Sequence, residues 1–137
     1  MEPIRIEITI LKPRQQVWEY MHNPKHITKW NFAQDNWHCP KAENDFVVGG
    51  KMNVRMQAKD RSYGFDFIAT YEEIIPFEKI VYRTESNRKV EILVEEIDPN
   101  TTKVIEIIEP EMKTSRQMQR DDWYAILNNF HKYVENN

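Results

Sequence analysis

The sequence predicts one α+β domain over residues 1–137, a curved antiparallel sheet wrapped around a long C-terminal helix, with two short helices after the first strand. Three observations predict this class. Apolar and polar residues alternate in a series of short segments, which is the pattern of strands with one buried face. The turns between these segments are too short to hold a helix, so neighbouring strands should run antiparallel. From residue 114 onward, the apolar residues recur at helical spacing instead.

The first thirty residues supply the opening strand and the two short helices. Isoleucines alternate with polar residues from Ile4 to Ile10, which indicates a strand with one buried face. Pro13 suits the first position of a helix. Pro24 then interrupts the helical pattern, and a second short segment follows over residues 25–30. The apolar residues at helical spacing between the two prolines are Val17, Trp18 and Met21.

Five further strands are predicted beyond a poorly patterned stretch that follows the second helix. Gly49-Gly50 lies between extended segments, and glycine permits the positive φ that a tight hairpin turn requires. Turn residues such as Asp60-Arg61, Pro76 and Ser86-Asn87 separate the later segments. The predicted strands cover residues 51–57, 65–72, 80–82, 90–97 and 104–108.

The last element is an amphipathic helix of about twenty residues, which would be roughly 30 Å long. Thr114 and Gln117 have the spacing of a capping box at its start. The apolar stripe of this helix consists of Trp123, Leu127, Phe130 and Val134, with Ile126 beside it.

Charge and composition exclude several classes of function. The net charge of −3 opposes a polyanion, so we do not expect nucleic acid as a partner. No apolar run approaches the ~18 residues of a membrane span, and the N-terminal residues lack the apolar region of a signal peptide. Cys39 is the only cysteine, so no disulfide can form within the chain. We therefore expect a cytoplasmic protein.

Several local strings, taken in order, resemble a known family. They are Pro13 with Val17-Trp18-Glu19, Trp30, Asp45-Phe46-x-Val48-Gly49-Gly50-Lys51, Ile74-x-Pro76-x-Glu78-x-Ile80-Val81-Tyr82 and Trp123-x-x-Ile126-Leu127. Over nearly the whole chain the sequence resembles the SRPBCC (START-like, birch-pollen-allergen-like) superfamily. Within it, the chain is most similar to the family named after the activator of heat-shock protein 90 ATPase. The resemblance implies the helix-grip fold, and it adds a chaperone as a candidate partner.

A sheet curved over one helix leaves a concavity, which is the usual place for a small-molecule site. Aromatic residues make up 12% of the chain and need a large apolar interior. Strand parity predicts that one set of apolar side chains faces inward and contacts a hydrophobic or aromatic small molecule, with Tyr hydroxyls fixing its polar end. These predicted ligand-binding residues are Met52, Met56, Phe65, Phe67, Tyr71, Tyr82, Trp123 and Leu127. The alternative is that they simply fill a core.

Glu106 is the ninth candidate, and its position depends on the parity of the last strand. The resemblance implies that Val104 and Ile108 point inward, which places Glu106 in the cavity between them. The opposite parity buries Ile105 and Ile107 and leaves Glu106 in water. A carboxyl in the cavity would need a partner or a raised pKa.

No catalytic residue, metal or cofactor is predicted. His22 and His26 have the i, i+4 spacing of a metal pair, but Pro24 lies between them, so we interpret them as surface histidines. His38 and Cys39 are neighbours in an extended segment and should point to opposite faces, which argues against a nucleophilic thiol. Binding of an apolar guest is the favoured function. A co-chaperone role and a cyclase or hydrolase using Glu106, Tyr71 or Tyr82 are the alternatives, and no oligomeric state is indicated.

Overall fold

The computed structural model describes residues 2–137, and seven strands and three helices lie within them. The helices are α1 (Arg14–His22), α2 (Pro24–Trp30) and α3 (Arg116–Glu135). The strands are β1 (Ile4–Ile10), β2 (Trp37–Asn44), β3 (Lys51–Ala58), β4 (Gly64–Ile75), β5 (Lys79–Thr84), β6 (Lys89–Asp98) and β7 (Thr101–Ile108).

The strands form one antiparallel sheet in the order β1-β7-β6-β5-β4-β3-β2. Strands β2 to β7 follow one another as hairpins, and β1 adds to the far edge by pairing with β7. The sheet curls into a half-barrel, and α3 packs against it, with α1 and α2 following β1. The predicted fold class is therefore confirmed. No helix in residues 2–137 is long and apolar enough to cross a membrane.

The core lies between the concave face of the sheet and α3. Phe130 of α3 is 1% exposed and meets Trp30 edge-on, with ring centroids 4.8 Å apart. The buried stripe of α3 continues to Leu127 and Val134, as the helical periodicity predicts. Removing these apolar side chains from water is the main force that holds α3 on the sheet.

Asn23 and Pro24 cause the break between the two short helices. Proline disfavours the helical conformation of the residue before it, and Asn23 is extended, with φ −74° and ψ 121°. The Asn23 side chain also accepts a hydrogen bond from the backbone N–H of Lys25 at 3.0 Å, which caps α2. Pro24 occupies the first turn of α2, where its missing N–H is not needed.

The start of α3 differs from the predicted capping box. Ser115 is the N-cap, and its hydroxyl accepts from the backbone N–H of Met118 at 3.1 Å. Thr114 instead donates to the Glu111 carboxylate at 2.7 Å. The predicted capping box was therefore wrong, because the helix begins one residue later and the Thr114 hydroxyl is bound to Glu111. Gln119 holds the incoming loop by donating to the Glu111 and Thr114 carbonyls at 3.1 and 2.8 Å.

Strand β2 was missed by the sequence analysis. It lies at the edge of the sheet beside β3, and the register of this pair shifts between His38 and Lys41. Pro40 lies within this irregular part, which is where an edge strand tolerates a residue without an N–H. The bulge disrupts the alternation of buried and exposed residues, so no strand pattern shows in the sequence.

The Gly-Gly pair does serve the turn between β2 and β3. Gly49 has φ +86°, a left-handed conformation that side chains disfavour. Gly50 is buried, and a Cβ there would lie 2.1 Å from the Asp45 carbonyl oxygen. The turn is also tied to β4, because the N–H of Gly49 donates to the Tyr71 carbonyl at 2.9 Å.

Candidate functional site

A cavity of about 490 Å³ lies between the concave face of the sheet and α3. Strands β3 to β7 form its floor, and α3 forms the opposite wall. The C-terminal ends of α1 and α2 and the segment from Asn31 to Trp37 close one side. The cavity reaches the surface at Phe65, whose side chain is 42% exposed.

All nine side chains predicted to contact a ligand lie in the wall of this cavity. Within the set, burial differs. Met56, Tyr71, Tyr82 and Leu127 are buried, whereas Phe65 is exposed at the rim. The full set is Met52, Met56, Phe65, Phe67, Tyr71, Tyr82, Glu106, Trp123 and Leu127. Contact of these residues with a ligand stays a prediction.

Aromatic rings support one another around the cavity. Phe67 lies at the centre of the group, with its ring centroid 6.0 Å from Tyr82 and 6.1 Å from Trp123, both nearly perpendicular. Tyr71 meets Tyr82 in the same way at 6.3 Å. Edge-to-face contacts of this kind are favourable because the positive edge of one ring meets the negative face of the next. The wall is therefore a connected aromatic surface.

The hydroxyl of Tyr71 is already occupied by the protein. It donates to the Asn44 side-chain oxygen at 2.7 Å, and the Asn44 amide donates to the backbone carbonyl of His22 at 2.6 Å. Burial raises the pKa of Tyr71 far above its usual value, so the hydroxyl stays protonated. Tyr71 thus joins β4 to β2 and α1, and it offers its ring rather than its hydroxyl to the cavity.

Glu106 lies on the concave face, opposite Ile6 of β1 and Ile92 of β6. Its neighbours Val104 and Ile108 on the same face are both 0% exposed. The carboxyl lines the cavity, and no side chain among residues 2–137 forms an ion pair or hydrogen bond with it. The Glu106 side chain is half-buried, and its loss of hydration, with no neighbouring charge to offset it, raises its pKa to about 8. At neutral pH this carboxyl is therefore mostly protonated.

Two further polar residues, Tyr82 and Arg88, line the same cavity. Burial raises the pKa of Tyr82 well above its usual value, and the charge of Glu106 adds to that rise. Arg88 has the opposite effect on Tyr82, and its Nε donates to the Ser86 hydroxyl at 3.1 Å. Sequence reasoning missed Arg88 because it lies at a turn, outside the strand pattern.

The two histidines are partly buried, in contrast to the surface positions expected for them. His22 stacks on Phe46 with ring centroids 4.1 Å apart, and burial lowers its pKa. His26 stacks on Tyr20 at 3.9 Å. They belong to different helices, and within residues 2–137 no three His, Cys, Asp or Glu side chains are grouped to hold a metal ion.

Cys39 is 3% exposed, and burial raises the pKa of its thiol to about 11. Its sulfur donates to the Lys41 carbonyl at 3.5 Å. A thiol is a nucleophile mainly as the thiolate, which this environment disfavours.

A curled antiparallel sheet that holds a long C-terminal helix over an aromatic cavity defines a helix-grip protein. The family model for Activator of Hsp90 ATPase homolog 1-like protein matches residues 12–135. The chain belongs to this family.

Solved structures agree with this assignment. An AHSA1-like protein from Aeromonas hydrophila is 32% identical, with a TM-score of 0.89 over 97% of this chain and 93% of that chain. A protein from Cytophaga hutchinsonii is 38% identical, with a TM-score of 0.83 over 98% and 92%. The Aha1 dimer from Colwellia psychrerythraea is 15% identical, with a TM-score of 0.77 over 98% and 97%, a likeness of fold alone. A comparison with the curated proteins gives no match.

Proposed function

We propose that this protein binds a hydrophobic or aromatic small molecule in the cavity between the sheet and α3. The observation that carries the proposal is the cavity itself. Its volume of about 490 Å³ falls within the range of roughly 300–1,000 Å³ that is usual for small-molecule sites. Its wall is mainly apolar and aromatic, with a few polar groups, and this is the composition expected of a site for an apolar guest.

The alternative of a self-filled core fits the burial less well. Val104, Ile108 and Val134 are each 0% exposed, so close packing is complete in the true core. Met52, Phe67 and Trp123 keep accessible surface although they pack against that core. Burial of apolar surface contributes about 25 cal/mol of favourable free energy per Å². A bound apolar guest would gain this free energy by covering the accessible surface of these side chains.

Calorimetric titration with naphthylethanol, a neutral aromatic probe, tests the proposal. We expect a dissociation constant on the order of tens of micromolar for a ligand of this size. Ile126→Trp should weaken binding at least tenfold because Ile126 lines the cavity and a larger ring would fill it. Tyr124→Trp is the matched control, since Tyr124 is 43% exposed on the outer side of the same helix.

Equal binding by the two tryptophan variants, each shown to be folded by its melting curve, would argue against this site. Lack of binding by the wild-type protein to this probe and to a panel of larger aromatic and lipid-like molecules would contradict the function. A co-chaperone role is the alternative, and it rests on the family description alone.

A further inference from the structure

Glu106 is the one carboxyl on the apolar floor of the cavity in the described chain, residues 2–137. Four apolar residues surround it on the sheet, Ile6 and Ile92 across the strands and Val104 and Ile108 along its own strand. A carboxyl in such a place is costly unless a partner compensates the lost hydration. Because the sheet supplies no partner, the remaining open direction is the cavity, and a ligand group is the natural complement.

The charges around the cavity favour a positive ligand group. Glu106, Glu111 and Asp122 are acidic residues in its wall, whereas Arg88 is the basic residue that lines it within the described chain. Burial lowers the pKa of His22, which disfavours the charged form of this side chain. Arg88 forms no ion pair with Glu106, so the Glu106 carboxyl can pair with a cationic group of a ligand.

The aromatic rings in the cavity wall suit the same kind of group. Tyr82, Phe67 and Trp123 form a continuous edge-to-face cluster in the wall. Aromatic faces attract ammonium groups through the negative charge of their π-systems, and this attraction strengthens where water is excluded. A ligand with an aromatic body and an amine would use both features.

We propose that the cavity selects a lipophilic aromatic amine, whose ammonium group pairs with the Glu106 carboxylate while its apolar body covers the aromatic wall. This inference rests on the proposed function, since it names the class of ligand for the same cavity. When the ammonium form binds, the proton held by Glu106 leaves to solvent, and the pair carries no net charge.

Proton release gives the inference a distinctive pH dependence. With a pKa of about 8, Glu106 must lose its proton before it pairs, so amine affinity should rise by up to tenfold per pH unit below pH 8. The other titratable and charged groups in the cavity wall are His22 of α1, Tyr71 of β4, Tyr82 of β5, Arg88 between β5 and β6, Glu111 before α3 and Asp122 on α3. Replacing Glu106 separates its contribution from theirs.

Three probes with the same aromatic body test the inference by calorimetry: naphthylethylamine, naphthylethanol and naphthylpropionic acid. At pH 8 we expect the amine to bind at least tenfold more tightly than the alcohol, and the acid to bind most weakly. At pH 7, heats in buffers of different ionisation enthalpy should show release of nearly one proton per amine. Glu106→Gln should reduce the amine-to-alcohol ratio to about twofold or less and remove the proton release.

Glu109→Gln is the control with the same substitution, because Glu109 is exposed just beyond β7 and lies outside the cavity wall. This variant should keep the amine preference. If the alcohol or the acid binds as tightly as the amine, or if Glu106→Gln keeps the preference, the inference is overturned while the cavity remains a binding site. If none of the probes, nor the larger panel, binds, the proposed function fails and the inference fails with it.

Discussion

Replacing Glu106 by Gln is expected to raise the free energy of unfolding by about 4 kcal/mol at pH 8.5 and to change it little at pH 4.5. The folded protein holds the Glu106 proton with a pKa of about 8, against a usual value of 4.5. Between these two pH values the folded state therefore binds more protons at this site than the unfolded chain. Over this range, the contribution of Glu106 to the free energy of unfolding falls by about 1.4 kcal/mol for each unit by which the pH rises. The Gln amide does not ionise, so the variant does not lose stability in this way as the pH rises.

Urea denaturation of the wild type and the variant at pH 4.5, 6, 7 and 8.5 measures this effect. The informative quantity is the difference between the two proteins at each pH, because the other titrating groups cancel in it. Glu109→Gln should show no comparable trend, since that side chain is exposed. A difference between wild type and Glu106→Gln that does not change with pH would show that the carboxyl is solvated.

Phe130→Ala is expected to lower the free energy of unfolding by about 3–5 kcal/mol. Phe130 is 1% exposed and packs edge-on against Trp30, so it fixes both α3 and the end of α2. It also lines the cavity, so its removal enlarges the empty volume rather than allowing collapse. Chemical denaturation at constant pH gives the value.

Tyr124→Ala provides the comparison on the same helix, because Tyr124 is 43% exposed on the opposite side. Its cost should stay below about 1 kcal/mol, as is usual for surface positions. Equal losses at the two positions would mean that α3 does not pack its apolar stripe on the sheet.

Sequence patterns predicted most of the sheet because most strands have one buried face and one face exposed to solvent. The alternation in β3 and β4 assigned Met52, Met56, Phe65 and Phe67 to the same face, and the pairing of Val54 with Phe67 confirms that shared face. The apolar stripe of α3 was also predicted, because its residues recur at helical spacing in the sequence.

Parity in β7 could not be decided from alternation alone. Apolar residues occupy both faces of this strand, and Ile105 on the outer face is only 3% exposed. The position of Glu106 becomes definite through pairing with Ile6 and Ile92, which is a long-range feature of the sheet. Local periodicity carries no information about that register.

The remaining parts of the site also depend on tertiary contacts. The segment from Asn31 to Trp37 lines the cavity and has no regular structure before β2 begins at Trp37. Its sequence therefore has no periodic pattern that could predict its position. His22 is held by stacking on Phe46, far away in the chain. Such placements follow from the way α1 packs against the turn between β2 and β3.

Methyl NMR of the methionines tests most directly whether an apolar guest enters between the sheet and α3. Met21, Met52 and Met56 line the cavity, whereas Met112 and Met118 are 81% and 59% exposed elsewhere. On titration with naphthylethanol, the aromatic ring current should shift the methyl signals of Met52 and Met56 and leave those of Met112 and Met118 in place. Shifts confined to Met112 and Met118, or no shifts at saturating probe, would contradict the account.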